Sequence, residues 1–244
     1  MPIGAVLLVL VAAFASACGR VDFFQPYEYE EDMYLSLDGS ATIYVNSSLP
    51  ALNLLRGASF DTNPAARVDR DAVRAYFTTP RARVTRVTVS QRAGRRFVHV
   101  RMDVDDVRRV GGTGPLGWSS YRFEKDGEQF AYKQSVGGSA AKDVGDVGWT
   151  GHELVGFRLH LPSRIVYHNA GAKNLKRGNI LVWEQPLDAR TRGEPLALDA
   201  RMEAQSILYR TLFLFGGTAV AVAAGFFVLL WWILRRGRVH RLNR

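Results

Sequence analysis

The stretch Met33–Val45, MYLSLDGSATIYV, decides the fold class. Apolar residues alternate with less apolar ones on both sides of Asp38-Gly39, and a period of two is the pattern of a half-buried β-strand. Asp-Gly closes tight hairpins because both residues tolerate a positive φ. A second such dipeptide, Asp126-Gly127, separates Trp118–Lys125 from Gln129–Val136, which alternate in the same way. The sequence therefore predicts antiparallel β-hairpins.

Two short helices are predicted after the first hairpin. Leu49–Arg56 follows Ser48, has a proline in its first turn and ends at Gly57. A second helix is predicted over Asp69–Phe77, where apolar residues share one stripe, and Pro80 ends it. Further strands are predicted at Arg83–Ser90, Phe97–Val104, Glu153–Leu161, Ile165–His168 and Asn179–Leu187, with a glycine-rich loop at Gly137–Gly151.

The carboxyl end carries the membrane signal. Thr211–Leu234, TLFLFGGTAVAVAAGFFVLLWWIL, has no charged side chain, and about 20 such residues cross a bilayer. Five arginines follow within 235–244, so the positive-inside rule predicts a cytoplasmic tail and an extracytoplasmic domain. Leu196–Arg210 is helix-prone and is predicted to be a stalk helix. The fold class is thus α+β: antiparallel hairpins with one or two inserted helices, then a single transmembrane helix.

The amino end predicts export. Ile3–Phe14 is an apolar run of signal-peptide length, so residues 1–17 are predicted to be a signal peptide. The sequence Ala15-Ser16-Ala17-Cys18 fits an ordinary A-x-A cleavage site and also resembles a bacterial lipobox, in which Cys18 is lipidated. We favour lipidation because the chain's one cysteine stands at the required position; ordinary cleavage and an uncleaved anchor stay open. Residues 18–31 are then a tether, and 32–195 the extracytoplasmic domain.

Charge, cysteine content and motifs exclude several function classes. The formal net charge of the 244 residues is +9, but the tail arginines supply five of those charges, so nucleic acid is not expected as a partner. One cysteine excludes internal disulfides, cysteine-based zinc fingers and iron–sulfur clusters. No G-x-S-x-G, H-E-x-x-H or Walker A motif occurs. We therefore expect neither a cofactor nor enzymatic activity.

Aromatic residues provide the candidate ligand-binding site. They concentrate in the second half of the domain, where they form either a solid core or an apolar groove that takes an acyl chain. The sequence leaves both alternatives open. A weaker alternative is a metal-dependent hydrolase that uses His152, Glu153 and His160, although their spacing along one strand opposes it. The six candidate ligand-binding residues are Trp118, Tyr121, Phe123, Phe130, Tyr132 and Trp183.

Several segments together resemble the LppM-like bacterial envelope lipoproteins. They are Cys18, DMYLSLDGSATIYV at 32–45, FRLHLPSRIVYHNAG at 157–171, NILVWEQPL at 179–187, and the terminal helix with its basic tail. The resemblance implies an α+β envelope domain that binds lipid or glycolipid and has no established catalytic residues.

We therefore expect a non-enzymatic, single-pass protein of the bacterial cytoplasmic membrane that binds a lipid-like ligand at the cell envelope. Membrane lipids are its expected partners. The alternative is an envelope assembly or scaffold protein that contacts other membrane proteins.

Overall fold

The computed structural model of the chain describes residues 27–112, 114–171, 175–176 and 178–239. The predicted signal peptide and the predicted lipidation of Cys18 lie outside these residues. The α+β class is confirmed. The elements, in chain order, are β1 (Tyr27–Leu35), β2 (Ala41–Ser48), α1 (Leu49–Arg56), α2 (Arg70–Phe77), β3 (Ala82–Arg92), β4 (Arg95–Val104), β5 (Ser119–Asp126), β6 (Gln129–Val136), β7 (Leu154–His160), β8 (Ser163–His168), β9 (Leu175–Lys176), β10 (Ile180–Pro186), α3 (Leu187–Thr191), β11 (Leu196–Ser206) and α4 (Ile207–Val239).

The strands form two sheets. The larger has the order β3-β4-β2-β1-β7-β10-β9, and the smaller has the order β5-β6-β11-β8. Both Asp-Gly turns close the hairpins predicted for them, with φ of +94° at Gly39 and +59° at Gly127. All pairs are antiparallel except β1 with β7, which run parallel in the centre of the larger sheet.

Side-chain and glycine caps fix the ends of the two predicted helices. The Ser48 hydroxyl accepts the Ala51 N–H at the start of α1, and Gly57 ends that helix in the left-handed conformation, at φ +68°. Asp69 caps α2 by accepting the N–H groups of Asp71 and Ala72. These local contacts explain why both helices were readable from the sequence.

The core lies between one face of the larger sheet and the layer formed by the smaller sheet and α1. Alternate residues of β1 point into it: Tyr29, Glu31 and Met33 are at most 2% exposed. The Tyr132 hydroxyl of β6 lies 3.6 Å from the Met33 sulfur, and α1 packs on β1, β2 and β4. The two sheets and α1 therefore share one interior.

The stalk helix predicted at Leu196–Arg210 is wrong for residues 196–206, which form strand β11, whereas residues 207–210 are the start of helix α4. Leu198, Ala200 and Met202 are buried while the residues between them face outwards, which is a period of two. The segment is rich in Leu, Ala, Met, Glu and Arg, all good helix formers. Pairing with β6 on one side and β8 on the other outweighs that local preference.

Three predicted boundaries also change. Residues 27–31 of the predicted tether belong to β1, so the folded domain begins before residue 32. At the other end, it extends past 195 to the end of β11 at Ser206. Helix α4 then runs directly from the strand and continues to Val239, into the predicted tail at 235–244.

Candidate functional site

The six predicted aromatic residues pack into the shared core. Phe123, Tyr132 and Trp183 are buried, and the other three are half-buried against the same cluster. Trp183 donates its indole N–H to Asn169 at 2.9 Å. The residues are thus brought together as core, and their role in ligand binding stays a prediction. Trp118 and Tyr121 alone among them line recesses described at the domain surface.

A carboxylate lies within this core. Glu31 accepts hydrogen bonds from the Tyr121 hydroxyl at 3.1 Å, from Gln134 at 3.3 Å and from the Tyr29 hydroxyl at 3.0 Å. Burial, together with the Glu31 charge, raises the pKa of the Tyr121 hydroxyl well above its usual range, so that it remains a donor. Arg56, from the last turn of α1, completes an ion pair with Glu31 at 3.5 Å.

Arg56 is held by ring stacking as much as by this ion pair. Its guanidinium carbon lies 3.7 Å from the centroid of the Trp118 ring, and its side chain is 1% exposed. Nη2 bonds to the Tyr29 hydroxyl, but Nε and Nη1 have no hydrogen-bond acceptor among the described residues. The Trp118 Nε1 is also buried without an acceptor there. Sequence analysis missed Arg56, because nothing near it in the chain shows that this helix end is buried.

Next to Arg56 is a small cavity of about 200 Å³, which we call the Arg56 cavity. It lies between the end of α1, the start of β5 and the first residues of the glycine-rich loop. Its lining residues are Leu55, Arg56, Tyr76, Gly114, Pro115, Trp118, Gly138, Ser139 and Ala140.

The glycine-rich loop 137–151 is fixed to the domain at both ends. At its start, Ala140 donates its N–H to the Leu55 carbonyl at 3.0 Å, which covers the end of α1. Near its other end, Arg95 donates to the carbonyls of Val147 and Gly148 at 3.2 and 3.1 Å. Arg95 itself is held by a two-point ion pair with buried Glu28, at 2.8 and 3.1 Å. The loop is therefore part of the folded structure.

Beneath this loop is a larger, mostly apolar recess of about 420 Å³, which we call the loop groove. Its size falls within the range of small-molecule sites, about 300–1,000 Å³. The apolar part of the wall comes from Leu54 of α1, Val144 and Trp149 of the loop, and Leu187 of α3. None of the six predicted aromatic residues lines it. The signal for Trp149 was its position: an indole in a glycine-rich loop needs a surface to cover it.

Glu153 closes one side of the loop groove and also shapes the loop. Its carboxylate accepts the N–H groups of Thr150 and Gly151, both at 2.8 Å. Burial acts to raise the pKa of Glu153, but these hydrogen bonds outweigh it and lower the pKa below the ordinary value. Glu153 is therefore an ionised structural acceptor at neutral pH.

The arrangement required for the hydrolase alternative is not present. Glu153 precedes β7 and His160 ends it, so about 23 Å of strand separates them. His160 instead lies 2.7 Å from Asp32 and stacks on Tyr34. Across the described part of the chain, no three His, Cys, Asp or Glu side chains come together in a way that could hold a metal ion. That alternative was wrong in placing His152, Glu153 and His160 in one site.

The predicted membrane helix is an exposed apolar segment. Within α4, Thr211–Trp232 spans 22 residues and is long and apolar enough to cross a bilayer. The protein buries none of it. Only residues 207–210 separate it from β11. The direction of crossing stays a prediction.

Comparisons with known proteins give one distant structural similarity. No protein-family description matches the chain, and no curated protein matches it. The NMR structure of the folded domain of LppM from Mycobacterium tuberculosis aligns with a TM-score of 0.38 at 12% identity. The alignment covers 76% of this chain and 95% of that domain. At this TM-score and identity, the similarity assigns neither a ligand nor an activity to the chain.

Proposed function

We propose that this protein is a non-enzymatic, membrane-anchored domain that binds the acyl chain of a lipid-like molecule in the loop groove. The observation that carries the proposal is the apolar wall of Leu54, Val144, Trp149 and Leu187 beneath an ordered loop. Charged residues also line the groove, namely Lys142, Asp143, Glu153 and Asp188. A lining that combines an apolar wall with charged side chains fits an amphiphile that has a hydrocarbon chain.

The energetics suit exchange with a membrane. A buried methylene gains about 0.8 kcal/mol when it leaves water, so ten of them supply about 8 kcal/mol towards binding from solution. A chain that leaves a bilayer gains nothing from this term, since it moves from one apolar environment to another. The domain would thus hold lipid without trapping it, and α4 keeps the domain beside a bilayer.

A photocrosslinking experiment tests the proposal. The full chain in lipid nanodiscs is irradiated with palmitic acid that carries a diazirine on its chain, and labelled peptides are located by mass spectrometry. We expect labels on α4, which contacts the bilayer, and on peptides that contain Val144, Trp149 or Leu187. The α4 label is an internal reference for the amount of probe.

Matched variants distinguish specific labelling in the groove from non-specific labelling of the protein surface. Val144→Asp places a charge on the groove wall and should lower labelling of the groove peptides severalfold, with α4 labelling unchanged. Val166→Asp is the control, because Val166 is 49% exposed and lies on β8, outside the groove lining. Labels confined to α4, or equal loss in both variants, would refute the proposal.

A further inference from the structure

We infer that the Arg56 cavity receives the oxyanion head, a carboxylate or a phosphate, of the amphiphile whose chain occupies the loop groove. This inference rests on the proposed function and adds the chemical class of the ligand. It is carried by three buried nitrogens that have no acceptor among the described residues, by the charge of the cavity lining, and by the position of the cavity next to the groove.

The N–H groups call for an acceptor. Arg56 Nε, Arg56 Nη1 and Trp118 Nε1 are buried without one among the described residues. Stacking on Trp118 covers the face of the guanidinium, but its N–H bonds lie in the guanidinium plane and still need acceptors. Each of these two guanidinium nitrogens can donate a charge-assisted hydrogen bond to an oxygen of a carboxylate or phosphate. Arg56 and Trp118 are both lining residues of the cavity.

Charge in the cavity also favours an anion. Arg56 is the one charged residue in its lining, which contains no carboxylate. Glu31 contacts Arg56 through Nη2, at 3.5 Å, and also accepts from Tyr29, Tyr121 and Gln134. Nε and Nη1 of the guanidinium are therefore left as donors for an anion in the cavity.

Consecutive residues of the chain line the cavity and the groove. Leu55 lines the cavity and its neighbour Leu54 lines the groove, while on the loop side Ala140 lines the cavity and Ala141 the groove. The Ser139 hydroxyl donates to the Leu54 carbonyl at 2.8 Å, so one segment of the loop separates the cavity from the groove. A ligand with its head group in the cavity and its acyl chain in the groove has to pass only this segment.

Residues 138–140 must shift for the head to reach the three nitrogens, because protein atoms cover them. The shift breaks the hydrogen bonds that Ala140 and Ser139 donate to the carbonyls of Leu55 and Leu54. Gly138 has no atom within 4 Å of the position a Cβ would take, which leaves room for movement. Ala141 has a φ of +51°, a conformation that costs an alanine about 1 kcal/mol, so the strained end of the segment gains when it relaxes.

The test compares two compounds that have the same chain length but different head groups. Unlabelled palmitic acid and hexadecanol compete with the diazirine probe for labelling of the groove peptides, in full-length protein in nanodiscs. We expect palmitic acid to compete at about tenfold lower concentration than hexadecanol, the ratio that one charge-assisted hydrogen bond provides. Trp118→Phe and Arg56→Lys should each reduce that ratio, while hexadecanol competes as before.

Controls separate the head from the fold. Trp183→Phe removes an indole N–H that already bonds Asn169 and should leave the ratio unchanged. The double variant Glu31→Gln/Arg56→Met removes both charges together and should abolish the ratio if the domain still unfolds cooperatively. Equal competition by the two compounds in the wild type would overturn the inference and leave the proposed function standing. If neither palmitic acid nor hexadecanol competed, both the inference and the proposed function would be refuted. If excess inorganic phosphate abolished the difference between the two compounds, the cavity would be assigned to a free ion.

Discussion

Replacing Arg95 by Met should destabilise the domain much more than replacing an exposed arginine. The Arg95 and Glu28 side chains are 9% and 1% exposed, and the variant leaves Glu28 as an uncompensated buried charge. Removal of one partner of such a pair costs about 3–5 kcal/mol. The variant also removes the two hydrogen bonds from Arg95 to the carbonyls of Val147 and Gly148, which hold the glycine-rich loop.

Arg83→Met is the matched control. Arg83 lies on β3, beside the β4 strand of Arg95, and faces Asp103 at 3.6 Å with 81% of its side chain exposed. A pair of this kind contributes at most about 1 kcal/mol.

Thermal unfolding of the full chain in nanodiscs, followed by the β-sheet circular dichroism signal, measures the difference. A domain of about 180 residues shifts its Tm by about 2–4 °C per kcal/mol, so Arg95→Met should lower Tm by roughly 6–20 °C. Arg83→Met should lower it by no more than about 4 °C. Equal decreases in Tm for the two variants would show that burial does not determine how much the Glu28–Arg95 pair contributes to the stability of the fold.

Two further predictions concern the same loop. Gly137→Ala should lower the free energy of unfolding by roughly 3 kcal/mol, because a Cβ there would lie 2.3 Å from the Trp118 carbonyl oxygen. Gly138→Ala should be nearly neutral, because a Cβ at that position has no atom within 4 Å. Comparable urea midpoints for the two variants would contradict this prediction. The lowered pKa of Glu153 means that its ionised form stabilises the fold above its unfolded pKa and that this contribution disappears as pH falls from 4.5 through the folded pKa. Glu153→Gln should therefore be less stable at pH 7 and lose less stability on acidification, and parallel curves of Tm against pH would contradict the assignment.

The sequence alone determined the elements whose causes are local. Each Asp-Gly dipeptide supplies a glycine that adopts positive φ in the turn, +94° at Gly39 and +59° at Gly127, so both hairpins could be located from the sequence. Helix α1 carries its own caps at Ser48 and Gly57. The apolar segment of α4 is recognised by its length and composition, and both can be read directly from the sequence.

The tertiary structure decided what depends on distant neighbours. Segment 196–206 has the composition of a helix, yet pairing with β6 and β8 makes it a strand. The parallel pairing of β1 with β7 joins residues more than 120 positions apart, and no local pattern encodes such a partner. The same reason applies to the candidate site, because Arg56, Trp118 and Trp149 are far apart in sequence. Only packing buries Arg56 against Trp118 and places Trp149 in the wall of the loop groove.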